Sequence, residues 1–229
     1  MSFIYEERLS DSPYVETITH GRTEGEGSSL RPAETHWHMV FVRYHGKAQL
    51  IVAGPLTTSG IVSYTEGAEI IWIKFQLGTF MPHLPTRQLL DGQTSLPEAS
   101  GRYFWLHGST WQFPDYENVD TFIDRLVRND VLVRDSVVNA VLQNHPQEMA
   151  SRTVRHRFLQ ATGLTQSYIR QVERAKRAEE LLWQGKSILD TVHEAGYFDQ
   201  PHLTRSMKQL IGQTPAQIVR EYRAEKLAI

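Results

Sequence analysis

Hydrophobic and polar positions change their rhythm about halfway along the chain. HMVFVRY (38–44) and KAQLIVAG (47–54) are short runs rich in Val, Ile and Tyr, joined by the hairpin-like pair His45-Gly46. TSGIVSYTEGAEIIWIKFQLG (58–78) predicts two more strands around Glu66-Gly67. GRTEGEGSS (21–29) reads as a loop, and MPHLPTRQLLDGQTSLPEASG (81–101), with its prolines and small polar residues, as connecting loops with short turns. The first part of the chain is therefore expected to be β-rich, a small barrel or sandwich.

From about Asn118 the spacing becomes helical. VDTFIDRLVRND puts Phe122, Leu126 and Val127 on one side, and VRDSVVNAVLQNH (133–145) does the same with Val137, Val138, Val141 and Leu142. The expected division is a β-rich domain over 1–115 and a helical domain over 116–229, with its core at 133–225. The fold class is α+β in two domains.

The most informative stretch is 187–211. Ser187-Ile-Leu-Asp190 is an S-x-x-D capping pattern that starts a helix. Ile188, Leu189, Val192 and Ala195 form its expected inner side, and Gly196 stops it in the left-handed conformation. Asp199 caps the next helix, with Pro201 in its first turn, where a missing N–H costs nothing. Leu203, Met207, Leu210 and Ile211 then face inward, while Gln200, Thr204 and Lys208 run down the far side with Arg205 beside them. Two short helices around a glycine turn, with an Arg/Gln/Thr/Lys outer face, predict a helix-turn-helix. A solvated αα corner has the same outline. Arg and Gln favour nucleic acid, because they pair bidentately with guanine and adenine edges.

SRTVRHRFLQATG (151–163) echoes it. Val154, Phe158 and Ala161 face inward, Arg152, Arg155, His156 and Gln160 face out, and Gly163 stops the helix. Phe158 and Gly163 fall in the same spacing as Met207 and Gly212, and His156 is offset from Arg205 by the same interval. Between the two lies a long stripe of Tyr168, Val172, Ala175, Ala178, Leu181 and Leu182. About 18 helical residues make a rod of roughly 27 Å. Major-groove faces on one side of a duplex repeat at about 34 Å, so such a rod suits two recognition helices one turn apart.

Charge changes the picture more than composition does. The net charge of −2 on 229 residues is uninformative, but residues 1–148 hold 11 Lys+Arg against 18 Asp+Glu, −7, and residues 149–229 hold 13 against 8, +5. Only the second part is suited to a polyanion. With no cysteine, disulfides, thiolate zinc sites and cysteine nucleophiles are excluded, and with them repair proteins that accept alkyl groups on cysteine. No run of 18 apolar residues exists, and MSFIYEERLSDSPY lacks the features of a signal peptide, so a soluble cytoplasmic protein with no membrane partner is expected.

RTVRHRFLQATGLTQSYIRQVERAKRAEELL, followed by ILDTVHEAGYFDQPHLTRSMKQLIGQTPAQI, resembles the AraC/XylS family of bacterial transcription regulators. The resemblance covers about 151–219. Gly196, Asp199, Gln200, His202, Arg205, Lys208, Gly212 and Pro215 stand at signature spacings, as do Arg157-Phe158 and Ala161-Thr162-Gly163. It implies a seven-helix domain with two helix-turn-helix units joined by a long helix, each unit placing one helix (about 151–161 and 200–211) in a major groove. Arg152 and His156 would then read bases from the first, and Gln200, Thr204 and Arg205 from the second. Ser151, Arg155 and Lys208 would hold phosphates. Two departures stand out. Pro201 replaces a residue that is often polar in the family, and NHPQEMA (144–150) has no glycine turn before the first recognition helix.

Thr35-His36-Trp37-His38 and the strands resemble a cupin-like barrel, the sensor domain of many regulators in this family. The Glu that usually follows the H-x-H of a cupin metal site is missing, so no metal or other cofactor and no catalytic residue is expected. Alternation puts His36 and His38 on one face of a strand. His36, Trp37, His38, Trp72, Phe75 and the loop around His83 are the candidate lining of an effector pocket, and GTFMPHLP (78–85) resembles a loop after the barrel strands of related N-terminal domains. The expected function is sequence-specific DNA binding in transcription regulation. The expected partners are double-stranded DNA, a small-molecule effector, a second copy of the chain and, for an activator, RNA polymerase. The alternatives are a cupin-type metalloenzyme with a degenerate helical domain and a protein whose helices bind a partner.

Overall fold

The computed structural model describes residues 3–146 and 148–227. In chain order the strands are β1 (Phe3–Leu9), β2 (Val15–Thr23), β3 (Gly27–Arg31), β4 (His38–Tyr44), β5 (Lys47–Ala53), β6 (Gly60–Tyr64), β7 (Glu69–Phe75) and β8 (Thr79–Phe80). A 3₁₀ turn follows at Thr86–Leu89, then β9 (Gln93–Leu96), β10 (Glu98–Ser100), β11 (Tyr103–Leu106) and β12 (Ser109–Gln112). Helix α1 (Val119–Arg128) leads through β13 (Val133–Arg134) to α2 (Ser136–Leu142), α3 (Ser151–Thr162) and the long α4 (Gln166–Trp183). Helices α5 (Ile188–Glu194), α6 (Gln200–Leu210) and α7 (Pro215–Leu227) complete the chain.

By packing, the chain forms two compact units. The first takes the chain up to Ser28, Thr35–Pro55 and Ser63–Gln166; the second takes Ser29–Glu34, Leu56–Val62 and the chain from Ser167. This line runs through the start of α4 rather than at residue 115, and it gives α1 to α3 to the β-rich unit.

In the first unit, six strands pair in the order β1-β2-β7-β4-β5-β9, leaving β1 and β9 at the ends of an open order instead of a closed barrel. Period-two alternation decides which side is buried. In β7, Ile71, Ile73 and Phe75 point inward. The register lines up Ile18, Ile73, Met39 and Val52 across four strands, and all four are buried. The β4–β5 hairpin turns through His45 (φ 47) and Gly46 (φ 74), both left-handed, as a two-residue turn with the twist of the sheet demands. On this side lie Phe104, Trp111 and, from α1, Phe122, Ile123 and Leu126. Phe41 meets the rings of Phe104, Phe113 and Phe122 edge-on, at 5.7–6.2 Å.

Two expected loops hold strands. The 21–29 stretch carries the end of β2 and the start of β3, and 81–101 carries β9 and β10. Their polar composition hid them: β3, β9 and β10 bury little, so they lack the apolar alternation that marks β4 and β7.

The second unit centres on Val172, Ala175, Ala178 and Leu182 of α4, Val192 of α5, and Leu203, Met207 and Leu210 of α6. Ile169 is the buried residue of the first turn of α4, whereas Tyr168 is only half-buried and its hydroxyl donates to the Thr57 carbonyl. Leu189, expected inside, is 64% exposed. At 100° per residue Ile188, Thr191, Val192 and Ala195 share one side of α5, and Leu189 falls beside it. Among the described residues no helix is long and apolar enough to cross a membrane.

Candidate nucleic-acid interface

Helix α6 is fixed at its start by chemistry legible in its sequence. Asp199 accepts from the His202 amide at 2.7 Å, the N-cap bond that satisfies one of the four free amides of a helix N-terminus. Pro201 occupies the first turn and is exposed. The preceding α5 begins on the same kind of bond, with Ser187 Oγ accepting from Asp190 N at 3.1 Å, and ends at left-handed Gly196 (φ 71). Leu203, Met207, Leu210 and Ile211 are buried on one side. On the other, Gln200, Arg205 and Lys208 are exposed and Thr204 is half-buried.

Tyr197 locks the turn between the two helices, a role the sequence reading missed. It is buried, its hydroxyl lies 3.0 Å from Ser206 Oγ, and its ring meets His202 edge-on at 5.1 Å. The Arg174 guanidinium of α4 stacks over the same ring at 5.0 Å. An aromatic directly after the glycine stop was the available signal. The next residue, Phe198, is 91% exposed.

Helix α3 has the same outline with a different start. Its N-cap position is Ala150, which supplies no side-chain bond. Ser151, Arg152, Arg155 and His156 are exposed, Phe158 and Ala161 are buried, and Val154 is half-buried. Left-handed Gly163 (φ 72) closes the helix, its amide bonded to the Leu159 carbonyl at 2.8 Å. Arg157, the cation of the Arg157-Phe158 pair, points away from this outer row. Its Nε and Nη2 donate to the two oxygens of Asp135 at 2.8 Å each. Asp135 also caps α2 by accepting from Val137 N at 2.9 Å, so one carboxylate ties α2 to α3. A bidentate pair of this geometry fixes orientation as well as charge.

The candidate pocket residues of the β-rich unit have other work. Trp37 and Phe75 stack at 3.9 Å and 5°, and Trp37 Nε1 donates to the Thr79 carbonyl at 2.6 Å. His38 is 2% exposed, and its Nδ1 accepts from Trp72 Nε1 at 2.6 Å. β4 begins at His38, so His36 stands before the strand. Its Nε2 lies 3.0 Å from Glu16 Oε2. The His36 bond, with Lys74 Nζ 2.9 Å from the other oxygen, holds the Glu16 carboxyl down at about 2, against a smaller opposing push from burial. The two histidines thus engage different partners. His83, on the surface, stacks on His107 at 4.3 Å, and partial desolvation together with that neighbouring imidazole lowers its pKa. A cavity of about 810 Å³ opens elsewhere in the same unit, with His20, Arg22, Arg43, His45, Glu6 and Glu69 among its lining.

Residues 148–221 match the family model described as "Helix-turn-helix domain". No curated protein matches the chain. Two solved structures similar to it are of ToxT from Vibrio cholerae. One is 10% identical, with 96% of this chain and 98% of that one covered and a TM-score of 0.39. The other, from strain O395 and bound to (E)-4-(8-methylnaphthalen-1-yl)but-3-enoic acid, is 9% identical, with 97% and 100% covered and the same TM-score.

Proposed function

We propose that the chain is a DNA-binding transcriptional regulator of the AraC type, which its match to a helix-turn-helix domain over residues 148–221 supports, and that it reads an operator with α3 and α6 in successive major grooves. The observation that carries this reading is the division of α6. Leu203, Met207 and Leu210 are buried while Gln200 and Arg205, the side chains suited to adenine and guanine edges, stand exposed on the other side. In this reading Gln200, Thr204 and Arg205 read bases from α6, and Arg152 and His156 from α3. Lys208, Arg155 and Ser151 hold phosphates, which set register without reading sequence. In this proposal DNA binding belongs to 116–229 and sensing or assembly to 1–115, in the cytoplasm, with α1 to α3 serving DNA binding while packed in the β-rich unit.

Control by a small molecule belongs to the same proposal, as do a homodimer and, for an activator, contact with RNA polymerase. The Trp37–Phe75 stack, with its rings 3.9 Å apart, leaves no room for an effector between them.

Gel shifts over a panel of operator variants test the reading. Arg205→Ala should cost about 1–3 kcal/mol at the base it reads and relax preference there alone. Lys208→Ala should weaken all sequences alike and lower the salt slope by about one unit. Selectivity unchanged by Arg205→Ala would remove α6 as the reading helix.

A further inference from the structure

Both candidate reading helices finish on the same local design. Ala161 and Leu210 are equivalent, each two residues before the closing glycine, Gly163 or Gly212. The Ala161 carbonyl accepts from the Thr86 hydroxyl at 3.3 Å, and the Leu210 carbonyl from the Ala33 amide at 2.6 Å. In each case the donor comes from the first ninety residues of the chain, far away in sequence. At α6 the bonding goes further. Ser59 donates its amide to the Gln209 carbonyl at 2.9 Å and its hydroxyl to the Lys208 carbonyl at 3.5 Å. The last carbonyls of a helix have no partner within it, so these bonds fill the places water would otherwise take.

The packing agrees with the bonding. A Cβ on Gly163 would come within 3.2 Å of the Thr86 and Arg87 backbone; one on Gly212 would come within 2.6 Å of Leu30 and 3.1 Å of Ser59. Each closing glycine therefore has its bonding segment pressed against it. Ala33 is buried in the core of the helical unit, and Glu34 lies 3.7 Å from Lys176 of α4. Glu34 and Leu56 bridge, and β3 and β6 pair with each other. The segments 29–34 and 56–62 thus act as one clasp on α6. The turn at Thr86 is the clasp on α3.

We propose that Thr86, and Ala33 with Ser59, are positioning residues for DNA reading, each clasp holding the C-terminal end of one reading helix so that its exposed row meets the groove at a fixed angle. The clasps touch no base. Their segments connect directly to the β-rich strands, since Ser29–Glu34 lies between β2 and β4 and Leu56–Val62 between β5 and β7. A change in those strands therefore has a covalent path to α6. The proposal rests on the reading in which α3 and α6 each read one half-site.

The test uses the full chain and two readouts. Ala33→Pro and Ser59→Pro each remove an amide donor at α6. Thr86→Val removes the hydroxyl at α3 with little change of shape. In operator variants scored one half-site at a time, Ala33→Pro should lose about five- to tenfold discrimination at the half-site that Arg205→Ala affects and keep it at the other. Thr86→Val should do the reverse, at the half-site that Arg152→Ala affects. Equal weakening at both half-sites would reduce the clasps to general stability and overturn the proposal. So would no change at either.

Hydrogen exchange supplies the second readout, independent of DNA. Ala33→Pro and Ser59→Pro should speed exchange at the Ile211 and Gly212 amides, which bond to the Met207 carbonyl, and Thr86→Val should speed it at Gly163. Unchanged exchange overturns the clasps whatever the DNA result. If exchange shifts as stated but Arg205→Ala and Arg152→Ala do not separate two half-sites, the clasps stand as holders of the helix ends. The reading of DNA by α3 and α6, and with it the positioning role, then fails.

Discussion

Helix α6 starts under a side-chain cap, with Asp199 accepting from the His202 amide; α3 starts at Ala150, which offers none. Both end at a left-handed glycine, on equivalent carbonyls held from elsewhere in the chain. Yet α6 packs among α4, α5 and α7 in the helical unit, while α3 packs against α2 and the 3₁₀ turn of the β-rich unit. A polar outer row can thus be mounted in two different ways. In the proposed reading, what each helix shows to DNA is set by a few positions on one face. What holds it is set by caps and partners that need not be alike.

The largest test of that difference is to hollow out each helix in turn. Met207→Ala should cost about 2–5 kcal/mol and Phe158→Ala about 3–5, since both side chains are almost fully buried. The comparison predicts where the loss appears: in the helical unit for Met207, in the β-rich unit for Phe158. Residue-resolved hydrogen exchange during denaturant unfolding would show it. Equal loosening of both units by either variant would mean the two helices share one cooperative core.

The caps give a smaller and more pointed test. Asp199→Ala should destabilise the helical unit by about 0.5–2 kcal/mol. Ala150→Asp should gain up to about 1 kcal/mol for α3, because its backbone (φ −55, ψ 137) already lies outside the helical region, as an N-cap's does. Thermal unfolding measures both. A gain at 150 as large as the loss at 199 would show that α3 lacks only its cap.

Acid should separate the units further. Glu16 has its pKa lowered from 4.5 to about 2, chiefly by its bond to His36. A carboxyl depressed in the folded state stabilises it fully above about pH 4.5, and that contribution fades as pH falls towards 2. The β-rich unit, which carries Glu16 and α3, should therefore have an acid limb that Glu16→Gln flattens. Intrinsic tryptophan fluorescence against pH would follow it, through Trp37, Trp72 and Trp111. An unaltered limb would take Glu16 out of the account.

Much of α6 was legible because its determinants are local. Ser187, Gly196, Asp199 and Pro201 act within a few residues of themselves, and Leu203, Met207 and Leu210 follow from helical period alone. The echo of Phe158 and Gly163 in Met207 and Gly212 was equally plain in the spacing. The pairing of Arg157 with Asp135 was hidden, since nothing in either neighbourhood names the other as partner. The clasps were hidden for the same reason. Neither neighbourhood names α6 as its partner, and the bonds of Ala33 and Ser59 to it, two from backbone amides and one from the Ser59 hydroxyl, reach across most of the chain. Pro201, which stands where the family often has a polar residue, is an exposed first-turn residue beside the cap. His36 and His38, read as one face of a strand, part at the strand's first residue.

The most direct test of two differently mounted reading helices is selection of bound sites from random duplex DNA with the full chain. The account predicts two half-sites about 10–10.5 base pairs apart. Repeated with Arg205→Ala, the selection should lose sequence preference in one half-site and keep it in the other. A single half-site, or two that both survive Arg205→Ala unchanged, would contradict it.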